Sequence, residues 1–291
     1  MKFIKIVLII LTNTVLWAHG QTQAFQYIQA IKQEKTTFYD TEGYGIFLQD
    51  YEYNFDEKGI NKIKKKFSIP KETQVSEDSD FPGAKILTYD HIKGEIKTHA
   101  IYYIYQSVNE KITVIGFSTL CERVMSIEKE LYRAIAFNLL PAEIYAPSLV
   151  DTIQFAGRSI DLGPACHWRG VRNLQCPDMG QINWSEFSSP ERAQQMIDGQ
   201  KFLNSEMKLG DVLEDREIDI IFEETPVKAI KRKLKIKLPQ LIMGGSNILI
   251  IYYVTAEVRG RHIACVLSHY TDDIGAQTLP PLLSEVMKLK E

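Results

Sequence analysis

The same order of strand-like and helix-like segments occurs twice along this chain, and this recurrence constrains the fold more than any other feature. In the first half, after a predicted helix at 23–34, the segments are a strand at 45–53, a helix at 56–67, strands at 85–92, 95–106 and 111–119, and a helix at 124–138. In the second half they are a strand at 180–187, a helix at 192–203, strands at 217–223, 229–238, 248–258 and 262–270, and a helix at 282–290. Apolar residues recur every three to four positions in the helices and every second position in the strands.

This pattern predicts an α+β fold of two similar β-α-β-β-β-α units, with antiparallel sheets backed by helices. The first unit would span residues 21–147 and the second 148–291, joined near Pro147. The two halves share element order and little residue identity, so a single larger α+β domain is the alternative.

The first twenty residues have the composition of a cleavable secretory signal. Lys2 and Lys5 precede an apolar stretch from Ile6 to Trp17, and small residues follow at Ala18-His19-Gly20. The apolar run is about a dozen residues, shorter than the roughly 20 needed to span a bilayer. We therefore predict a signal peptide at 1–20, a periplasmic or secreted mature protein, and no stable membrane insertion. A buried N-terminal helix is the alternative.

The charge of the mature chain argues against a nucleic-acid partner. Loss of two lysines from the 34 basic residues leaves 32 against 37 acidic ones, a formal charge of −5. Proteins that bind nucleic acids normally carry a basic patch or stripe, which this balance does not indicate.

Four cysteines lie in the mature part, where an oxidising compartment would allow disulfides to persist. Cys166 and Cys176 form the predicted pair, because nine residues with turn formers among them separate the two. Cys121 and Cys265 lie in apolar, strand-like contexts and are interpreted as buried thiols. Four cysteines allow three pairings, and the sequence does not choose among them.

The stretch 165–184 contains two cysteines, two tryptophans and two arginines. Because Trp and Arg often dominate interface energy, we predict a stapled loop that presents Trp168, Arg169 and Arg172 to a partner, with Trp184 in the core. The strands are rich in tyrosine, and alternation would place some rings on an exposed sheet face. Tyr103 and Tyr253 are the candidates for such a face.

Lysines 231, 233, 235 and 237 alternate with other, mostly apolar residues. This period of two predicts a strand with lysines outward, which we interpret as protection of an exposed edge against aggregation.

No catalytic, metal-binding or cofactor motif is recognisable, so no catalytic residue, metal ligand or cofactor is predicted. Cys166 and His167 are adjacent, so on an extended chain they would point to opposite faces and would not form a nucleophile–base pair. The leading hypothesis is an exported, non-catalytic protein that binds another protein, with neutralisation of a secreted basic toxin by an immunity-type protein as its specific form. A periplasmic hydrolase with a site between the two repeats and a carrier of a small apolar ligand are the alternatives.

Overall fold

The computed structural model describes residues 23–290, except 108, 148–149, 164, 178, 208, 238–246 and 272–277. The predicted signal peptide at 1–20 lies outside the described residues. The first sheet is built from β1 (Gln29–Gln33), β2 (Thr36–Thr41), β3 (Tyr44–Asn54), β4 (Ser76–Glu77), β5 (Lys85–Lys93), β6 (Ile96–Gln106) and β7 (Lys111–Thr119). Its helices are α1 (Gln23–Gln26), α2 (Glu57–Lys66) and α3 (Met125–Ala136), followed by a 3-10 turn at Ala142–Ile144.

The second sheet follows a separate hairpin of β8 (Thr152–Phe155) and β9 (Arg158–Asp161). Its strands are β10 (His167–Gly170), β11 (Asn173–Cys176), β12 (Gly180–Phe187), β13 (Gly210–Phe222), β14 (Thr225–Ile236), β15 (Ile248–Val258), β16 (Arg261–Thr271) and β17 (Met287–Leu289). Its helices are α4 (Pro190–Glu206) and α5 (Pro281–Ser284).

The two sheets have corresponding strand orders, and below we call each sheet, with the helices and hairpin that cover it, a unit. The first is β1-β2-β3-β7-β6-β5-β4 and the second is β10-β11-β12-β16-β15-β14-β13-β17. Adding nine to each strand number of the first sheet gives the first seven strands of the second. The α+β class with antiparallel sheets is thus confirmed. Each half differs from the predicted β-α-β-β-β-α order, because a hairpin precedes the first predicted strand and four strands follow the helix.

Both faces of each sheet are covered. In the first sheet, α3 packs over a core that includes Tyr103 and Phe117, and α2 packs over the opposite face. In the second sheet, α4 covers one face, while the β8–β9 hairpin and α5 cover the other around Trp184. Burial of one large side chain such as Trp184 stabilises the fold by roughly 1.5–3 kcal/mol or more. Trp184 is 1% exposed, which confirms its predicted position in the core.

The longer helices begin where their sequences indicate. Asp56 caps α2 by accepting a hydrogen bond from the Gly59 amide at 2.7 Å. Ser189 caps α4, with Pro190 in the first turn, and accepts from the Arg192 amide. These contacts satisfy amides that have no partner within the helix.

Two predicted helices are wrong. The segment 23–34 forms only the short α1 before β1, which pairs with β2. The segment 282–290 contains the short α5 and then β17, which pairs with β13 at Ile220–Phe222. In the first place a hairpin with the next strand, and in the second a pairing with the distant β13, overrides the local helical pattern.

The lysine-bearing strand is also not an edge. β14 lies between β13 and β15, and its basic residues except Lys231, which lies opposite Arg216, face acidic residues of β13 in register. Lys233, for example, pairs with Glu214 at 3.2 Å and is 7% exposed. Its lysines therefore form a charge ladder inside the sheet, and the edge-protection interpretation is wrong.

Candidate partner-binding surface

The predicted staple forms at the end of the second sheet. Cys166 and Cys176 are disulfide-bonded, with Cα atoms 4.1 Å apart, and they close the β10–β11 hairpin. In this hairpin His167 pairs with Gln175, and Trp168 with Leu174. The covalent closure fixes a hairpin whose two strands are only four residues long each.

Trp168 binds the segment that joins the two units. Its ring packs against Trp184 at 6.3 Å between centroids, and its Nε1 donates to the Pro147 carbonyl at 3.2 Å. The same joining segment is bound to β1, because the Ala146 amide donates to the Ala30 carbonyl at 2.8 Å. Trp168 thus has a partner within its own chain.

Arg172 crosses from the stapled hairpin into the first unit and is 4% exposed. Its guanidinium donates to Asp40 Oδ1 at 3.1 Å, to Gln29 Oε1 at 3.3 Å and to the Tyr27 carbonyl. It also lies 3.7 Å from Glu186 of β12. A buried guanidinium needs such partners, because an unpaired buried charge is very costly.

Asp40 and Glu186 complete this buried cluster from opposite sides of the unit boundary. Ser185 donates to Asp40 Oδ2 at 3.4 Å, and Arg261 forms an ion pair with Glu186. Burial raises the pKa of Asp40 to about 6, although Arg172 favours the charged form and partly offsets the rise.

A second buried carboxylate, Glu42, connects the β2–β3 turn to the start of α4. It accepts from the Ser188 amide at 2.9 Å and from the Ser188 hydroxyl at 3.1 Å. Arg192 lies 3.7 Å from this carboxylate and donates to the Glu42 carbonyl at 2.7 Å. Burial raises the pKa of Glu42.

Gly43 follows Glu42 in the turn and has a φ of +73°, a conformation that favours glycine. A Cβ there would lie 2.6 Å from the Phe187 ring. We call the set that joins the two units the unit lock; its residues are Asp40, Glu42, Arg172, Glu186 and Arg192.

The structure separates the five predicted binding residues. Tyr103 and Tyr253 are 1% and 2% exposed, so their assignment to an exposed face is wrong. Because both faces of each sheet are covered, a tyrosine on either face of a strand points into a core. Arg172 and Trp168 contact the first unit and the joining segment. Arg169 is exposed and lies at a bulge in the β10–β11 pairing, as a presented side chain would.

Exposed apolar side chains flank another contact between the units. Gly94, in the β5–β6 turn, lies against Phe202 and Glu206 near the end of α4. We call the exposed apolar residues that flank this contact in sequence the apolar rim; they are Ile92, Met207, Val212 and Leu213. Their exposure leaves these apolar side chains available for contact with another protein.

Neither free cysteine of the described residues has a lowered thiol pKa. Burial raises the pKa of the Cys121 thiol and raises that of Cys265 well above its usual value, so both thiols stay protonated. Over the described ranges, no three His, Cys, Asp or Glu side chains are grouped to hold a metal ion. None of the helices in this part of the chain is long and apolar enough to cross a membrane.

Sequence reasoning missed the unit lock, because it depends on contacts between residues more than 130 positions apart.

Comparison with known proteins gives only distant structural neighbours. No family model matches the chain. No curated protein matches it either. The apo immunity protein TplEi of the T6SS from Pseudomonas aeruginosa is 12% identical, with a TM-score of 0.27, covering 90% of this chain and 97% of that one. The Tle4–Tli4 complex is 11% identical with a TM-score of 0.27, covering 91% and 98%. A putative protein of the dynemicin biosynthetic locus is 9% identical with a TM-score of 0.18, covering 83% and 74%. Scores of this size do not establish a shared fold.

Proposed function

We propose that this chain is an exported, non-catalytic protein-binding module of the immunity type, which neutralises a secreted toxin with a basic surface. The observation that carries the proposal is the unit lock. Arg172 and Glu42 are almost fully buried and fix one unit against the other through paired charges. A body held in one geometry loses little conformational entropy on binding, which favours tight recognition of a folded partner.

The boundary between the units is filled where a catalytic site between them would need space. The guanidinium of Arg172 and the carboxylates of Asp40 and Glu186 lie there and are paired with one another. Their hydrogen-bonding capacity serves the contact between the units, which favours a structural role for this polar cluster over a hydrolytic one.

The surface offered to the partner includes Arg169 and the apolar rim. Arginine is one of the residues that most often carry interface energy, and exposed apolar side chains can be buried by a partner. The formal charge of −5 of the mature chain would attract a basic partner to the protein as a whole. Delivery through the signal peptide at 1–20 would place the protein in the periplasm or outside the cell, where the Cys166–Cys176 bridge persists.

The test is expression of the full chain in its native host, followed by isolation of the periplasmic and extracellular fractions. We expect the mature protein to begin at Gln21 and to co-purify with one protein, which the purified chain then binds and whose toxicity it suppresses. A captured protein whose toxicity is unchanged by the bound chain would contradict the immunity role, and an intact Met1 would contradict export.

Two arginine variants serve as a matched pair in the same experiment. Arg172→Ala removes a buried arginine of the unit lock, and Arg169→Ala removes an exposed arginine of the same hairpin. If rigidity carries recognition, Arg172→Ala weakens binding although the residue is 4% exposed in the structure. Arg169→Ala should weaken binding without lowering the free energy of unfolding.

A further inference from the structure

Within the described ranges, the outer edge of β13 has a strand partner over only part of its length. β13 has thirteen residues and pairs along its inner side with β14 from Gly210 to Phe222. On its outer side, β17 pairs only with Ile220, Ile221 and Phe222. Among the described residues, no other strand pairs with β13, so the edge from 211 to 218 presents unpaired backbone groups.

The hydrogen bonds at the β17 end show which backbone groups point outward. The Lys290 amide donates to the Asp219 carbonyl, and the Glu223 amide donates to the Val286 carbonyl. Asp219 and Glu223 therefore face outward, and the period of two places the amides and carbonyls of Asp215 and Glu217 outward as well. A strand in line with β17 would pair with Asp215 and Glu217 next.

A groove runs beside this edge. It has a volume of about 980 Å³, and its lining includes residues 216–219 of β13, Thr278 and Leu279, together with the basic side chains of Lys231, Lys288 and Lys290. Ile218 and Leu279 are partly buried against the core and give the groove an apolar side. A strand edge beside an apolar surface is what recognition by strand addition uses.

The charge of the edge selects the chemistry of that chain. The exposed charged side chains of β13 are acidic with one exception; they are Asp211, Asp215, Glu217, Asp219 and Arg216. The side chains of Asp215 and Glu217 lie on the same side of the strand, while Ile218 lies on the side of the groove. A second copy of β13 would bring carboxylates together, and like charges opposite each other are destabilising.

We propose that the β13 edge binds an extended segment of the partner protein in which basic and apolar residues alternate. Arg232 already pairs with Asp215 at 2.6 Å, so the basic side chains of the partner would pair with Glu217 and with its exposed same-face neighbour Asp219. The apolar side chains would enter the groove beside Ile218. This inference rests on the proposed function and assigns the site and the chemistry of its partner.

The experiment uses the mature chain and an acetylated, amidated peptide of about nine residues in which lysine and valine alternate. A peptide with the same composition in blocks and one that alternates glutamate with valine are the controls. Binding is measured by fluorescence anisotropy for the wild type, Glu217→Ala and Glu217→Pro. Proline removes an outward amide and leaves the pairing with β14 intact, so comparison with alanine isolates the backbone contribution.

We expect the alternating lysine peptide to bind the wild type about tenfold more tightly than either control peptide. Glu217→Ala should weaken it by about threefold, the size of one cross-strand charge pair. Glu217→Pro should weaken it by at least a further threefold or so. Glu217→Lys, which keeps the backbone amide, should reverse the preference toward the glutamate peptide and remains decisive if the proline variant does not fold.

Equal binding of the block peptide, or equal affinities for the alanine and proline variants, would overturn the inference. A wild-type dimer in sedimentation that Glu217→Pro dissociates would also overturn it, because the occupant would then be a second copy. If the peptides fail to bind while a captured toxin is neutralised, the edge is wrong and the proposed function stands. If the peptide binds but no captured toxin is neutralised, the β13 edge is a binding site and the proposed immunity function is wrong.

Discussion

The two sides of the second sheet use charged residues in different ways. On the side of β10 to β12, Arg172 and Glu186 are buried and paired with each other and with the first unit. On the opposite side, β13 exposes Glu217 and Asp211 to solvent. Removal of one partner of a buried pair costs about 3–5 kcal/mol, whereas exposed pairs contribute about 0–1 kcal/mol. The buried charges therefore fix the geometry, and the exposed ones are available for recognition at little cost in stability.

The outer strands that correspond in the two units differ in the same sense. β4, in the first unit, has two residues and pairs with Lys85 and Ile86. β13, in the same place in the second unit, has thirteen. Short edge strands are a common protection against unwanted pairing. A long open edge is the exception that needs an explanation, and strand addition by a partner provides one.

The largest effect is expected from Arg172→Ala. The substitution leaves Asp40 without its cation and Glu186 with Arg261 alone. We expect a loss of about 3–5 kcal/mol in the free energy of unfolding, measured in urea. Arg169→Ala changes the same residue type in the same hairpin at an exposed position and should stay within about 0.5 kcal/mol of the wild type. Similar losses for both variants would remove the contrast between buried and exposed charges.

A smaller effect is expected when the staple is removed. Replacement of Cys166 and Cys176 by serine opens a loop with a sequence separation of 10 residues, which should cost about 2–3 kcal/mol of stability. Reduction of the wild type should give the same loss. Because Trp168 and Arg172 belong to this hairpin, exchange of the Ala146 amide should also accelerate. An unchanged Ala146 amide would show that the joining segment does not depend on the hairpin.

A pH dependence follows from the raised pKa of Asp40. Its ordinary pKa of 3.8 rises to about 6 in the folded protein because the carboxyl is buried. The folded state therefore binds a proton more readily, and this carboxyl's contribution to stability falls as the pH rises from about 4 to about 6. The expected slope is seen in the difference between the wild type and Asp40→Asn, which keeps an acceptor for Arg172. A difference that is independent of pH over this range would contradict the burial argument.

The smallest effect on stability is expected from Glu217→Pro. The outward amide of Glu217 has no strand partner among the described residues, and its ion pair with Lys228 is exposed. We expect a change of no more than about 1 kcal/mol in the free energy of unfolding. Arg216→Pro, one residue away, would remove an amide that faces β14 and should cost about 3 kcal/mol or more. Equal losses would contradict the assignment of inward and outward amides, and a larger loss for Glu217→Pro would mean that the assignment is reversed.

Sequence periodicity identified most of the long elements, and cysteine spacing identified the disulfide, since each depends on residues close together in the chain. The first seven residues of β13 (210–216) were missed, because mostly exposed residues show no apolar alternation. The short β8–β9 and β10–β11 hairpins escaped it because strands of four residues contain too few positions for a period to show. Tyr103 and Tyr253 were placed on the wrong kind of surface, since alternation cannot reveal that both faces of a sheet are covered. Trp168 and Arg172 were recognised as contact residues, but the surface they contact belongs to the same chain.

The most direct test of the contrast between a locked and an open side is amide hydrogen exchange along β13. In the free protein, the account predicts fast exchange at Asp215 and Glu217 and slow exchange at Arg216 and Ile218, whose amides face β14. Addition of the alternating lysine–valine peptide should slow exchange at Asp215 and Glu217 alone. Four equally protected amides in the free protein, or no protection at Asp215 and Glu217 when the peptide is bound, would contradict the account.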